Sequence, residues 1–352
     1  MTGRSVIWAT LATAVRMGQQ HTEDQLQAAL DGIASGWEFS TVTVRSMRSP
    51  HPGGARLPFR ALSQAPLEVA ALAARFVYPR ARLVHRFDLR LPPAPGAEVI
   101  TVHDLAPLRF GDEGSLPRWA LAAARRGSVI ACPSSFAADE VRSLTGASDV
   151  RVIPNGVHER FGREPPMTQA ELDRRGLRGP YVLHAGGCTT RKNLVALANA
   201  WSRVRDARPD AMLALCGPPD SRRDALFGKL PGARILGRVP ICELARMMAA
   251  ASVVVVPSVY EGFGLPALEA MACGAPVVAA GCSSLPELCG GAALIVPPTP
   301  AGLAQGLVQA LAGGTRVSEL AREGRDRARS FTWRRAAERY LTLYNEVITA
   351  AA

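Results

Sequence analysis

Two glutamates, Glu261 and Glu269, stand eight positions apart in the run Pro257-Ser-Val-Tyr-Glu261-Gly-Phe-Gly-Leu-Pro266-Ala-Leu-Glu269-Ala-Met-Ala-Cys-Gly274-Ala-Pro276. A carboxylate accepts hydrogen bonds from vicinal hydroxyls, so two of them can hold two sugars, or a sugar and a ribose. Gly262 and Gly264 let backbone N–H groups come close to a ligand. A helix beginning near Pro266 presents its positive end to an anion. Read alone, a glutamate pair at this spacing is more often a surface turn followed by a core helix. The loop glycines and the apolar run Val253–Val256 before it tip the balance towards a site.

A second constellation is Ala185-Gly-Gly-Cys-Thr-Thr-Arg191-Lys192-Asn193-Leu194. Cations at a helix start work against the macrodipole, so an anionic ligand gives Arg191 and Lys192 a reason to be there. A solvated pair of charges is the alternative for this segment by itself. The phosphate-binding spacing Gly-x4-Gly-Lys-Ser/Thr is absent. The third is Val99-Ile-Thr-Val-His103-Asp104, an apolar strand ending in His-Asp. His103 can donate a hydrogen bond or stabilise charge, or can be structural; Asp104 can orient it or cap the next turn. No two aspartates lie two apart, so the Asp-x-Asp metal motif of many nucleotide-sugar enzymes is missing, and no metal ligand set is expected. Neither Gly-x-Gly-x-x-Gly after the first strand nor Gly-x-Ser-x-Gly nor His-Glu-x-x-His occurs.

These residues need a scaffold that brings loops together. Short apolar runs at Val6–Trp8, Thr41–Val44, Leu83–Val84, Val99–Val102, Val129–Cys132 and Val150–Ile153 read as strands, with helices at Ala65–Phe76 and Leu116–Ala124. Residues 48–60, rich in Pro, Gly and Arg, read as a mobile loop. A second series runs from Tyr181–Ala185 through the helix Asn193–Ala207, strands Met212–Cys216, Ala233–Leu236 and Val253–Val256, and on to Ala292–Val296. Alternation of this kind means parallel sheets covered on both faces. The expectation is α/β: two Rossmann-like doubly wound domains facing across a cleft. They are a domain at 1–160, a linker at 161–179 and a domain at 180–331, with a closing amphipathic helix at 332–352 that returns to the first domain.

At 352 residues the chain suits two domains, and its apolar and charged fractions of 48% and 20% are those of a globular protein. Seven cysteines without zinc-type spacing suggest reduced thiols and a cytoplasmic setting. No apolar run is long enough to span a bilayer. The net charge of +11 is spread along the chain, with 17 Arg against 13 acids in residues 1–157 and 24 basic against 17 acidic residues in 158–352. That argues against a nucleic-acid arm and suits anionic ligands, either nucleotide diphosphates or an acidic lipid surface touched peripherally at the inner membrane face. Only Lys192 and Lys229 are lysines.

Together these residues resemble the retaining glycosyltransferases of family 4, which have the two-domain GT-B fold. The resemblance runs through Thr101-Val-His-Asp104, Ile153-Pro-Asn-Gly156, Arg191-Lys192-Asn193, Leu236-Gly-Arg-Val239, Pro257-Ser258, Glu261-Gly-Phe-Gly-Leu-Pro266, Glu269-Ala-Met-Ala, Gly274-Ala-Pro-Val277, Ser284-Leu-Pro-Glu287 and Phe331-Thr-Trp333. It implies that Arg191 and Lys192 bind the diphosphate of a nucleotide-sugar donor and Glu269 the ribose. Glu261 and the backbone of Gly262, Phe263, Gly264 and Leu265 would hold sugar and phosphate, Val239 would sit near the base, and His103 would lie beside the reacting carbon. No cofactor beyond the donor is implied. The family's glycine loop after the first strand has one counterpart here, Met17-Gly18-Gln-Gln-His21, so Gly18 and His21 are the acceptor-side candidates; the first strand also reads as short. The implied reaction moves a sugar, from GDP-mannose or a similar donor, to a hydroxyl acceptor without a metal. The competing readings are a non-catalytic sugar-nucleotide binding protein and another GT-B enzyme such as an epimerase; a pyridoxal-dependent phosphorylase needs a Schiff-base lysine, and only two lysines exist.

Overall fold

In the computed structural model, which describes residues 4–12, 18–51, 53–78, 82–126 and 129–351, the strand–helix alternation runs through the chain twice and divides it into two units. The first unit comprises Met1–Gly156 and Trp333–Ala352. Its strands are β1 (Arg4–Leu11), β2 (Trp37–Ser46), β3 (Ala55–Leu57), β4 (Leu83–Arg86), β5 (Glu98–Thr101), β6 (Val129–Cys132) and β7 (Val150–Val152). All pairings are parallel and the order is β3-β2-β1-β4-β5-β6-β7, so the winding reverses between β1 and β4.

Strand periodicity explains the two covered faces. On β1, Val6 and Trp8 enter one core while Ile7 and Ala9 enter the other. The Ile7 side packs on α2 (Phe59–Leu62), α3 (Leu67–Val77), α4 (Ala120–Arg125) and α5 (Ser135–Thr145), and the Trp8 side on α1 (Gly18–Asp31) and the chain's last helix, Trp333–Ala350. That last helix is fixed by a buried polar network. Tyr344 Oη lies 2.6 Å from His85 Nδ1, His85 Nε2 lies 2.7 Å from Thr101 Oγ1, and Thr101 Oγ1 lies 2.9 Å from Tyr340 Oη. Burial, with His103 nearby, holds His85 well below the usual histidine range, so its neutral ring serves one donor and one acceptor.

Two local readings are corrected. β1 is eight residues long rather than short, because its backbone ladder with β2 continues from Arg4↔Trp37 to Leu11↔Val44, past the apolar run that marks its middle. Residues 48–60 do not form a loop throughout: Ala55–Leu57 adds an edge strand beside Val44–Ser46, and α2 begins at Phe59.

The second unit is Val157–Thr332. Its strands are β8 (Tyr181–Ala185), β9 (Met212–Cys216), β10 (Ala233–Gly237), β11 (Val253–Val256), β12 (Val277–Ala280) and β13 (Leu294–Val296). They are parallel, in the order β10-β9-β8-β11-β12-β13. The four consecutive valines of β11 divide between the two cores, Val253 and Val255 to one and Val254 and Val256 to the other, which is why the run is unbroken. The helices are α6 (Gln169–Arg174), α7 (Leu194–Ala207), α8 (Ser221–Phe227), α9 (Ile241–Ala250), α10 (Leu265–Cys273), α11 (Leu285–Cys289), α12 (Pro300–Ala312) and α13 (Thr315–Ala328), and Trp333–Ala350 is then α14. The segment 161–179, expected as a linker, carries α6 with a Thr168–Glu171 capping box and sends Phe161, Met167, Leu172 and Leu177 into this unit's core.

Candidate functional site

The winding of the second sheet reverses between β8 and β11, and in open α/β sheets ligands bind at the carboxyl ends of the strands flanking such a reversal. The loops leaving those two strands carry Arg191, Lys192 and Glu261. The structure closes the three into one cluster: Lys192 Nζ lies 2.6 Å from Glu261 Oε1 and Arg191 Nη1 lies 3.1 Å from Glu261 Oε2. Arg191 and Lys192 are 17% and 11% exposed, so both charges can reach a ligand yet are shielded from screening. Burial alone would raise the Glu261 carboxyl. The charges of Lys192 and Arg191, with hydrogen bonds from Lys192 and Ser258, outweigh it and hold Glu261 below the usual range, so it stays ionised between its two cations.

The local sequence explains how this cluster is held. Asn193 adopts a left-handed backbone (φ 55°), which asparagine tolerates better than most residues. Its Nδ2 donates to Pro257 O (3.0 Å) and Pro298 O (2.9 Å), tying the β8 loop to the loops after β11 and β13. Val259 N donates to Arg191 O at 2.9 Å. Glu261 is fixed at both backbone ends, its N donating to Ser283 Oγ (3.0 Å) and its O accepting from Ser284 Oγ (2.9 Å). Gly264, at φ 103°, precedes α10, and a Cβ there would meet Leu285 Cδ2 at 2.8 Å. Pro266 occupies the first turn of that helix and Gly274 its left-handed end.

Glu269 lies on α10, half-buried, and its carboxylate has neither hydrogen bond nor ion pair among the described residues. Burial pushes its carboxyl up to about 8. An acceptor group so placed is suited to hydroxyl donors from outside the chain. Phe263 is buried and packs edge-on against Phe331 with ring centroids 5.8 Å apart, so its side chain belongs to the core and only its backbone is offered to a ligand. Val239 is half-buried in the loop after β10.

Beneath the β8 loop lies a pair that the sequence did not single out. Arg223 on α8 is 1% exposed and donates to Gly186 O (2.6 Å) and Pro218 O (2.8 Å), with no ion pair among the described residues. Beside it His184, on β8, is held down to about 3 by burial first and by the charges of Arg223 and Lys192. Its Nδ1 is buried without a hydrogen-bond partner. Gly217 permits this arrangement, since a Cβ there would sit 1.9 Å from Gly186 O. Arg223 therefore keeps an unneutralised positive charge close to the Lys192–Glu261 cluster, beside a neutral histidine.

His103, Gly18 and His21 belong to the first unit. His103 follows β5, burial lowers it to about 4 against the opposing charge of Asp88, and its Nε2 is buried without a partner. Asp104 Oδ1 accepts from Ala106 N at 3.0 Å, the turn-capping one of its two expected roles. Gly18 opens α1 and its carbonyl accepts from Thr22 Oγ1, while His21 is exposed on the same helix. Met17 lies outside the described residues. Asn193, Ser283 and Ser284 stand in or beside stretches legible in the sequence, but their roles depend on contacts 22 to 105 positions away. Arg223 and His184 gave no sequence signal at all.

The family model described as "Glycosyl transferases group 1" matches residues 179–313, which span both site loops. The chain is 34% identical over 218 residues to the O-antigen chain mannosyltransferase B of Escherichia coli, covering 60% of this chain and 55% of that one, just over half its length. It is 30% identical over 284 residues to the alpha-maltose-1-phosphate synthase of Mycolicibacterium smegmatis, covering 71% and 73% of the two chains. Among solved structures, the sucrose-phosphate synthase of Thermosynechococcus elongatus superposes with a TM-score of 0.76 at 24% identity over 99% of this chain and 100% of that one, a likeness of fold.

Proposed function

The chain belongs to the group 1 glycosyltransferases, and on that premise we propose that it moves a sugar from a nucleotide-diphosphate sugar to an acceptor hydroxyl, with retention at the anomeric carbon. The observation that carries the reading is the pair Arg191 and Lys192, anchored by Glu261 at the reversal point of the second sheet with the unneutralised Arg223 beneath. A donor diphosphate laid across these groups meets fixed cations and the positive end of α10. As the bond between the anomeric carbon and the phosphate oxygen breaks, negative charge grows on that oxygen, and preorganised cations stabilise it there. The new bond forms to the acceptor oxygen, whose proton passes to the leaving phosphate. In this scheme the chain's own side chains supply the countercharge and a metal ion is not required.

Glu269 takes the ribose hydroxyls, Glu261 positions the two cations and meets the sugar, the backbone of 262–265 faces sugar and phosphate, and Val239 lies by the base. His103 serves the sugar from the first unit, and Gly18 and His21 mark the acceptor side. Mannose carried on GDP is the preferred donor, supported by the match to a mannosyltransferase.

Incubation with GDP- and UDP-sugars, with nucleoside diphosphate release as the readout, tests the proposal. Slow hydrolysis of a donor, fastest for GDP-mannose and unchanged by a chelator, is expected. Tight nucleotide binding with no turnover of any donor would overturn it in favour of a binding protein.

A further inference from the structure

Helix α3 is apolar on two sides. Leu67, Ala70, Ala74 and Val77 face the first unit's core, while Val69, Leu72 and Phe76 are 49%, 56% and 84% exposed. The exposed three are spaced i, i+3 and i+7, so they share one narrow stripe. A helix apolar all round is ordinarily buried, and one that presents an exposed row of Val, Leu and Phe to water has a partner in view.

The surroundings say which kind. α2 directly precedes α3, and α4 joins them: Arg118 N donates to Ser63 O (3.0 Å), Trp119 Nε1 donates to Leu62 O (2.9 Å), and Arg126 Nη2 lies 3.5 Å from Glu68 Oε1. Across residues 59–78 and 116–126, which build this face, the charged side chains are Arg60, Arg75, Arg118, Arg126 and the single acid Glu68, all exposed, while Arg125 turns away to donate to Thr145 O of α5. A second copy of the chain would set this basic face against itself under two-fold symmetry, which like charges oppose. Arginines around a protruding aromatic and aliphatic row match the headgroups and acyl boundary of an anionic bilayer.

We propose that α3 docks the first unit onto an anionic lipid surface, with Val69, Leu72 and Phe76 entering the interface and the arginines lying among the headgroups. No helix among the described residues is long and apolar enough to cross a membrane, so the contact is with the surface of the bilayer. The proposal is independent of which sugar the chain transfers.

Vesicle co-sedimentation of the full chain tests it, using phosphatidylcholine alone and phosphatidylcholine with about 30% phosphatidylglycerol. Binding to the anionic vesicles only, weakened by added salt, is expected. Leu72→Gln combined with Phe76→Gln should weaken that binding on the order of 100-fold. Both residues are exposed, so the melting temperature should be unchanged. No binding to anionic vesicles, equal binding by the double variant, or a wild-type dimer that the double variant converts to monomer would each overturn the proposal.

Discussion

Replacing Glu269 by Gln keeps the shape of the side chain and removes its charge. The Glu269 carboxyl stands at about 8 against an ordinary 4.5, because burial penalises the ionised form and nothing offsets that penalty. Between those two values the folded chain holds a proton that the unfolded chain has released, so stability falls as pH rises from 4.5 and levels off above 8. Each pH unit in that window costs ~1.4 kcal/mol, which bounds the loss at ~5 kcal/mol by pH 8. Partial solvent access to the side chain brings the working figure to about 2–3 kcal/mol. Glutamine carries no such cost. Glu269→Gln should therefore raise the melting temperature of the second unit at pH 8 by roughly 5–10 °C, and change it little at pH 4.5.

Binding should move the other way. Two ribose hydroxyls donating to an ionised carboxylate are worth about 1.5–3 kcal/mol, so the variant should bind GDP or UDP about 10- to 100-fold more weakly at pH 8. For the wild type, nucleotide affinity should climb with pH up to about 8, with a proton released on binding below that point. Calorimetry in two buffers of different ionisation enthalpy reads the proton directly. A melting-temperature gain of equal size at pH 5 and pH 8 would refute the desolvation argument, and unchanged nucleotide affinity in the variant would remove Glu269 from the ribose.

Lys192→Ala should lower donor turnover by about two orders of magnitude, equivalent to ~3 kcal/mol of lost charge stabilisation; steady-state kinetics within a few-fold of wild type would take Lys192 off the phosphate. Asn193→Ala should destabilise the second unit by about 2–4 kcal/mol, because alanine is strained in the left-handed region and two hydrogen bonds are lost. Asn193→Gly keeps the backbone conformation and should recover about 1–2 kcal/mol of that, measured by denaturant unfolding; equal losses in the two variants would mean the backbone is not strained.

What the sequence revealed and what it hid follow from the range of the forces involved. The strand–loop–helix around Glu261 was legible because each of its parts is local. Four valines must be buried, Gly264 admits a left-handed turn, Pro266 starts a helix and Gly274 ends it. The two parallel sheets followed from the same short-range alternation. α1 was not legible, since Leu26 and Leu30 are its only buried aliphatic residues and the rest of it is largely polar. β3 was hidden in a Pro- and Gly-rich stretch, because an edge strand of three residues is made by its pairing with β2 and leaves little pattern. Arg223 could not be found at all: one arginine among many, it is distinguished only by carbonyl partners on two separate loops.

The same contrast bears on Glu261. From its position in the loop it could be a group reaching out to sugar hydroxyls. In the structure both its oxygens face cations, and its backbone is held at both ends by Ser283 and Ser284. A carboxylate so engaged has little capacity left to capture a further donor, but it does fix two long, rotamer-rich side chains that would otherwise lose entropy if a diphosphate bound. It also lets Arg191 and Lys192 be held close together without repelling each other apart. In the proposed scheme a donor diphosphate would compete for the cations and draw them partly away from Glu261, leaving a carboxylate oxygen able to accept from a sugar hydroxyl. On the proposed reading, removing Glu261 would therefore disorder the Arg191 and Lys192 side chains first and the sugar contact second, and it is Glu269, half-buried and unpaired among the described residues, whose carboxyl is open to a hydroxyl donor.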